Sequence, residues 1–347
     1  MNNNVWWTKI ANAARLISDV TDSVSDRHSV ILVYSDDIPF YDDMFETLHK
    51  TISSTDASSR FTEIDSSQIT TDVESYMFDE FFAASAGEYF PTPNNSRTRF
   101  MAENISSDLI STNIWLKAES PVQLEMWRKF LTEYNSYCKK GRNAVFLLIM
   151  KDNGKSWGNI KNTRILRYED YISQYDKYIY CMLEAAELKD CTPEMKKYIA
   201  ELAIGLSGGD MEKCRDILGF GKQLISETFG VCRTVIPKMD ERGVKRVKWE
   251  TQMKLVFPIL EKYRSQLLDL YLTDIKKAIP FTTPTHEVIE DPFELDLGNL
   301  KQICDNGYFK MDDKKYKKLV FFKDSRNDLA HMKPIDDNNA LKILKED

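Results

Sequence analysis

Near the C-terminus, Ser325-Arg326-Asn327-Asp328-Leu329-Ala330-His331 sets an arginine and a histidine five positions apart, with an asparagine directly after the arginine. On a helix, five positions turn through about 500° and rise roughly 7–8 Å, so both side chains reach one general side. That span suits a single phosphodiester. A guanidinium grips phosphate oxygens in a fork, and an imidazole takes or gives a proton near neutral pH. Other chemistry finds less material. His28, His49 and His286 have no partners at metal-ligand or triad spacing. The six cysteines, at 138, 181, 191, 214, 232 and 304, show no close pairing, a pattern that fits reduced cytosolic thiols better than a zinc site or a disulfide framework.

A second group of chemical interest is acidic. Asp36 and Asp37, with Asp42 and Asp43 close behind, follow the apolar run Ser29–Tyr34. Carboxylates just beyond a parallel strand can hold Mg²⁺, as in Toprim or receiver-like domains, which makes Asp36 and Asp37 the metal candidates. The other reading is that they cap and solvate the turn into a helix over 40–50. No complementary acidic strand end appears downstream.

The pattern Arg-Asn-x-x-Ala-His, late in a helical C-terminal region, resembles the signature of the HEPN superfamily. Many of its members are metal-independent endoribonucleases of toxin, CRISPR and antiphage systems. The resemblance covers about residues 249–347. It implies that Arg326 stabilises a pentacoordinate phosphate, that His331 acts as general acid or base, and that Asn327 orients the histidine or the phosphate. The implied reaction is attack of a ribose 2′-hydroxyl on its own phosphate, leaving a 2′,3′-cyclic phosphate and a 5′-hydroxyl. It calls for no cofactor and no metal, and DNA lacks the nucleophile. Members of the superfamily bring two motifs together across a helical dimer interface, so one motif here implies a homodimer through the C-terminal domain. Glu261 and Arg264 are possible supporting residues that face the motif and tune its charge, although their spacing also fits an ordinary surface pair. Asp328 fits either a hydrogen bond across the dimer or a helix surface.

These residues need elements to hold them. A chain of 347 residues implies two domains, and its 42% apolar and 29% charged residues exclude disordered and membrane classes. No apolar run approaches the length of a bilayer span, and the N-terminus lacks the pattern of a secretory signal, so a cytoplasmic location is expected. The net charge of −7 argues against a general nucleic-acid coat protein. It leaves room for a local basic patch, for which Lys314, Lys315, Lys317, Lys318 and Lys323 are available; a solvated helix face accounts for them equally well.

Apolar periodicity predicts a helix over 5–23, then a buried strand at Ser29–Tyr34. Further strands are expected over 60–65, 113–117, 144–150 and 163–168. Helices intervene, clearest at 121–140, where Pro121 precedes Leu124, Trp127, Leu131 and Tyr134. Such alternation points to an α/β domain with a mostly parallel sheet of about five strands, Ser29–Tyr34 lying inside it. The polar stretch 85–107 reads as a long loop. From Glu169 the pattern is wholly helical, over 169–188, 193–206 and 210–229, with Thr192 and Asp210 as N-caps and Pro193 at a first helical position. A basic stretch, 237–248, reads as a linker. One long or kinked helix over 249–279, with Pro258 as its irregularity, precedes a Pro/Thr-rich connection and shorter helices near 294–305, 312–323, 325–332 and 336–345.

The order of elements resembles a P-loop NTPase of the AAA or STAND kind: an α/β domain, a helical lid, then an effector domain. The phosphate chemistry is missing. After the first strand the chain reads Ser35-Asp36-Asp37-Ile38-Pro39-Phe40, without the glycines and lysine that cradle a triphosphate. The stretch 114–119 is a poor acidic strand end, and Gly154-Lys155-Ser156 follows the wrong strand. The expected organisation is therefore a sensor or degenerate NTPase-like domain (1–168), a lid-like helical region (169–236), a linker (237–248) and a HEPN-like helical bundle (249–347). The expected function is an endoribonuclease effector of a prokaryotic defence or toxin system, acting on RNA and controlled by a defence-system or antitoxin partner. The alternative is a non-enzymatic scaffold whose HEPN domain only dimerises or binds RNA or nucleotide.

Overall fold

The computed structural model describes residues 4–345, apart from 66–68, 70–71, 119–120, 140, 153, 155–157 and 285, and apart from the side chains of residues 118, 121 and 124. Readings that touch Glu119, Leu124, Lys155 or Ser156 therefore fall outside the described residues. Two units are present, Met1–Asp176 and Lys177–Asp347.

The first unit alternates helices and strands. Its elements are α1 (Val5–Lys9), α2 (Ala11–Ser25), β1 (Ser29–Tyr34), α3 (Tyr41–Thr55), β2 (Arg60–Asp65), α4 (Val73–Phe81), α5 (Arg97–Glu103), α6 (Ser107–Ile110), β3 (Thr112–Ala118), α7 (Pro121–Tyr137), β4 (Val145–Lys151), β5 (Thr163–Arg167) and α8 (Tyr168–Tyr171). The five strands form one sheet in the order β2-β3-β4-β1-β5, every pairing parallel. β1 lies inside it, with Leu32 opposite Ile149 on one side and Leu166 on the other. All six β1 residues are buried, as a strand covered on both faces requires. One face packs Ile31, Val33, Leu116, Phe146 and Leu148 against Trp127, Phe130 and Tyr134 of α7 and Phe78 and Phe100 of α4 and α5. Each Val, Ile or Leu so buried contributes on the order of 1.5–3 kcal/mol before chain entropy is counted.

Two local readings change. The helix predicted over 5–23 breaks at Ile10, whose extended backbone (φ −82°, ψ 115°) separates α1 from α2 and lets Trp6, Trp7 and Ile10 all bury. The stretch 85–107 is not a continuous loop. Ser96 caps α5 by accepting from the Arg99 N–H (3.1 Å), and Phe100, Met101 and Ala102 of α5 enter the core.

The second unit is helical: α9 (Gln174–Ala186, which begins three residues earlier), α10 (Pro193–Ser207), α11 (Met211–Leu218), α12 (Gln223–Ser226), α13 (Thr228–Val235), α14 (Glu241–Leu255), α15 (Phe257–Ile275), α16 (Leu297–Asp305), α17 (Asp313–Ala330) and α18 (Asp337–Ile343). Thr192 and Asp210 are N-caps, accepting from Met195 N–H and from Glu212 and Lys213 N–H. A parallel α/β unit followed by a helical one is the order that the NTPase-like resemblance implies. The stretch 237–248, read as a linker, supplies the first half of α14, because Asp240 caps it and Val244 buries. The irregularity near Pro258 is confined to Val256, the single residue between α14 and α15, whose backbone stays helical (φ −91°, ψ −42°). The Pro/Thr-rich connection holds a two-stranded hairpin, β6 (Phe281–Thr282) and β7 (Val288–Ile289). The two helices expected at 312–323 and 325–332 are one, α17, capped by Asp312. In space, too, the cysteines are less scattered than their spacing indicates: Cys181 and Cys214 are in contact, Sγ to Sγ 2.9 Å.

Candidate functional site

The Arg–His motif occupies the last two turns of α17. Leu319, Phe322, Ser325 and Leu329 are buried on its inner side. Trp249 of α14 donates its indole N–H to the Leu329 carbonyl (2.8 Å), and Tyr263 of α15 meets the Phe322 ring edge-on at 4.7 Å. Nearby, Gln252 bridges the Tyr198 hydroxyl (3.2 Å) and both backbone groups of Ile335 (2.7 and 3.0 Å). This fully used buried amide fixes where the chain turns after α17.

Arg326 is partly covered, its side chain 28% exposed. Its Nη1 lies 3.5 Å from Asp296 Oδ2 and its Nε 4.0 Å from Glu261 Oε1. Neither contact closes a hydrogen bond through Nε, which is buried without an acceptor among the described residues. Both carboxylates are held from elsewhere. Glu261 accepts from Arg264 Nε (2.7 Å), and Arg264 also donates to the carbonyls of Phe293 and Leu295 (3.0 and 3.2 Å). Asp296 caps α16 through its other oxygen, accepting from the Asn299 N–H (2.8 Å). Two arginines and two carboxylates thus form one network of no net charge. Glu261 and Arg264 pair with each other, both partly covered, and Glu261 also reaches the motif arginine. Asp296 was missed, since in sequence it reads only as a helix cap.

His331 is the C-cap of α17 and is exposed. Its backbone N–H donates to the Asn327 and Asp328 carbonyls, and its ring bonds to no described residue. Asn327 is half-buried beside it. Asp328 pairs within its own chain, with Lys333 (3.1 Å). Of the lysines upstream, Lys315 and Lys323 pair with Asp312 and Asp324, and Lys318 lies over the Tyr263 and Phe322 rings, so these do not form one basic patch.

In the first unit, the loop after β1 is closed by its own residues. The Ser35 N–H donates to Glu169 Oε1 (2.6 Å), so a side-chain carboxylate takes the first amide that a phosphate cradle would offer. Ile38 and Phe40 are buried, and Phe40 sits in the left-handed region (φ 53°) at the start of α3. Its carbonyl accepts from the Trp7 indole (3.0 Å), with Trp6 and Tyr168 completing an aromatic plug. Asp36 and Asp37 are exposed, and Asp37 accepts from the Ile38 N–H (2.9 Å). Asp42 and Asp43 lie in the first turn of α3, where negative charge favours the helix terminus. Among the described residues, no three His, Cys, Asp or Glu side chains converge to hold a metal ion. Asp36 and Asp37 lie in the turn between β1 and α3.

No family model matches the chain, and no curated protein matches it. Among solved structures, it is similar to Cdc6p from Pyrobaculum aerophilum (12% identity, 98% of this chain and 95% of that one, TM-score 0.39). It is also similar to the ORC2 protein of Aeropyrum pernix (13%, 97% and 92%, TM-score 0.34) and to Trip13 from Rhizobiales (10%, 70% and 83%, TM-score 0.31).

Proposed function

We propose that the chain is a metal-independent endoribonuclease acting as a homodimer, with Arg326, His331 and Asn327 forming half of a composite site. The observation that carries this reading is His331: an exposed imidazole with no side-chain partner among the described residues, at the end of the helix that also presents Arg326. One histidine takes the 2′-hydroxyl proton while its counterpart on the second copy gives a proton to the leaving 5′-oxygen. The guanidinium supports the charge on the phosphorane oxygens, and Asn327 aligns the group beside it. The α/β unit then serves as a sensor without nucleotide hydrolysis. A nuclease of general RNA needs restraint inside a cell, which is the reason to expect a defence-system or antitoxin partner and a cytoplasmic setting. Among the described residues no helix is long and apolar enough to cross a membrane.

A second reading has its own support. Arg326 already faces Glu261 and Asp296, and a neutralised guanidinium attracts phosphate poorly. On that reading the helical unit only dimerises or binds RNA, and the protein is a scaffold. Incubating wild type and His331→Ala with total RNA in EDTA separates the two. Cleavage leaving cyclic-phosphate ends by the wild type alone supports the nuclease; equal inertness of both, with the activating partner present, supports the scaffold.

A further inference from the structure

We infer that Cys181 and Cys214 are a redox modification site, closing to a disulfide that staples α9 to α11. Their sulfurs stand 2.9 Å apart, in direct contact, so the two thiols need no rearrangement of the chain to meet. Both residues are fully buried, on two helices that flank α10 in the chain, so the contact is set by core packing and not by a mobile surface. None of the other four cysteines touches a second thiol among the described residues. Cys232 faces the Met239 sulfur at 3.5 Å, and Cys191 and Cys304 are half-exposed.

The burial decides which oxidant can act. The hydrogen bond with Cys214, and then burial, hold the Cys181 thiol far above its ordinary range, so thiolate is scarce and attack is slow. A bulky disulfide reagent cannot enter, whereas a peroxide is small enough to reach the pair when the helices open transiently. One sulfur attacks a peroxide oxygen, the O–O bond breaks, and a first water leaves a sulfenic acid. The second thiol attacks that sulfur, the S–O bond breaks, a second water leaves with the remaining protons, and the S–S bond forms. The staple then encloses the loop between two cysteines 33 positions apart, which restricts the unfolded chain and raises the unfolding midpoint.

The test treats the folded full chain with hydrogen peroxide, removes the peroxide with catalase, and denatures the protein in iodoacetamide before mass analysis. Of the six cysteines, four should then be alkylated, with the mass two hydrogen atoms below that of a four-fold alkylated chain, and dithiothreitol should expose two further sites to alkylation. A tryptic map should join the peptide 178–189, holding Cys181, to Cys214-Arg215. Oxygen added at Cys191 or Cys304 appears as a mass gain and is read separately. Cys181→Ala should keep all of its five cysteines free of any disulfide; should that variant fail to fold, the wild-type map decides alone. An oxidised wild type with no disulfide, or one joining other cysteines, overturns the inference.

Discussion

At the scale of single residues, Arg326 and His331 sit five positions apart on one helix and have opposite surroundings. His331 is exposed and its side chain bonds to no described residue, so His331→Ala should change stability by less than about 0.5 kcal/mol. Loss of its proton transfer should still lower RNA cleavage by about 10²–10⁴-fold, measured as initial rates beside a urea melt. Arg326→Ala should abolish cleavage and also destabilise. It leaves Asp296 without its cation, while Glu261 keeps Arg264, a cost of about 1–3 kcal/mol, between that of an exposed and a buried pair. If Arg326→Ala melts like wild type, the network is loose and the guanidinium is free. The motif itself was readable because its chemistry is local to seven residues. Asp296 was not. Asp72, Asp210, Asp240, Asp312 and Asp336 cap helices in the same way, and nothing in a cap's spacing says which second oxygen will meet an arginine far along the chain.

At the scale of elements, the strands were the most legible part, because a sheet covered on both faces leaves runs such as Val30–Val33 and Val145–Met150 with no polar interruption. The sequence failed where burial and composition part company. Ser96-Arg97-Thr98-Arg99 looks like a loop, yet it opens α5, since Thr98 is buried and its N–H finds Glu74 (2.8 Å). Likewise Lys-rich 237–248 hides the few buried positions of α14. That helix crosses α10 closely: a β-carbon added at Gly205 would stand 2.5 Å from Val247 Cγ1. Gly205→Ala should therefore destabilise by about 1–3 kcal/mol in thermal unfolding, and adding Val247→Ala should recover most of it. Insensitivity of the single variant would show that α10 and α14 are free to separate. The start of α3 gives a second element-scale expectation. With Glu169 on the Ser35 amide and Phe40 buried at the helix entry, titration of the protein with ATP and Mg²⁺ should give no heat of tight binding. Micromolar affinity lost on mutating residues 35–40 would contradict this.

At the scale of the whole molecule, the number of copies decides whether the proposed chemistry is possible. In-line cleavage needs one proton taken from the 2′-hydroxyl and one given to the leaving oxygen, while each chain offers a single motif histidine. A two-fold pair with α17 facing α17 supplies two histidines and two arginines around one phosphate, because an isologous interface repeats the same surface on both sides. The geometry of one chain is compatible with this: His331 and Met332 are exposed at the end of α17, Met332 by 71%. Arg326→Ala and His331→Ala chains, each inert alone, should regain at most part of the activity when unfolded together and refolded as mixed dimers, since only one arginine and one histidine then remain. Sedimentation should show dimers in both single variants and in the mixture. Monomeric wild type that cleaves RNA would remove the composite site and leave a single-chain mechanism. Dimers that form in every case while the mixture stays inert would mean that both arginines or both histidines are indispensable, and a Met332→Glu variant then reads the interface alone: it should shift the protein to monomer and abolish cleavage together, because a buried carboxylate on each side of a two-fold axis repels its own image.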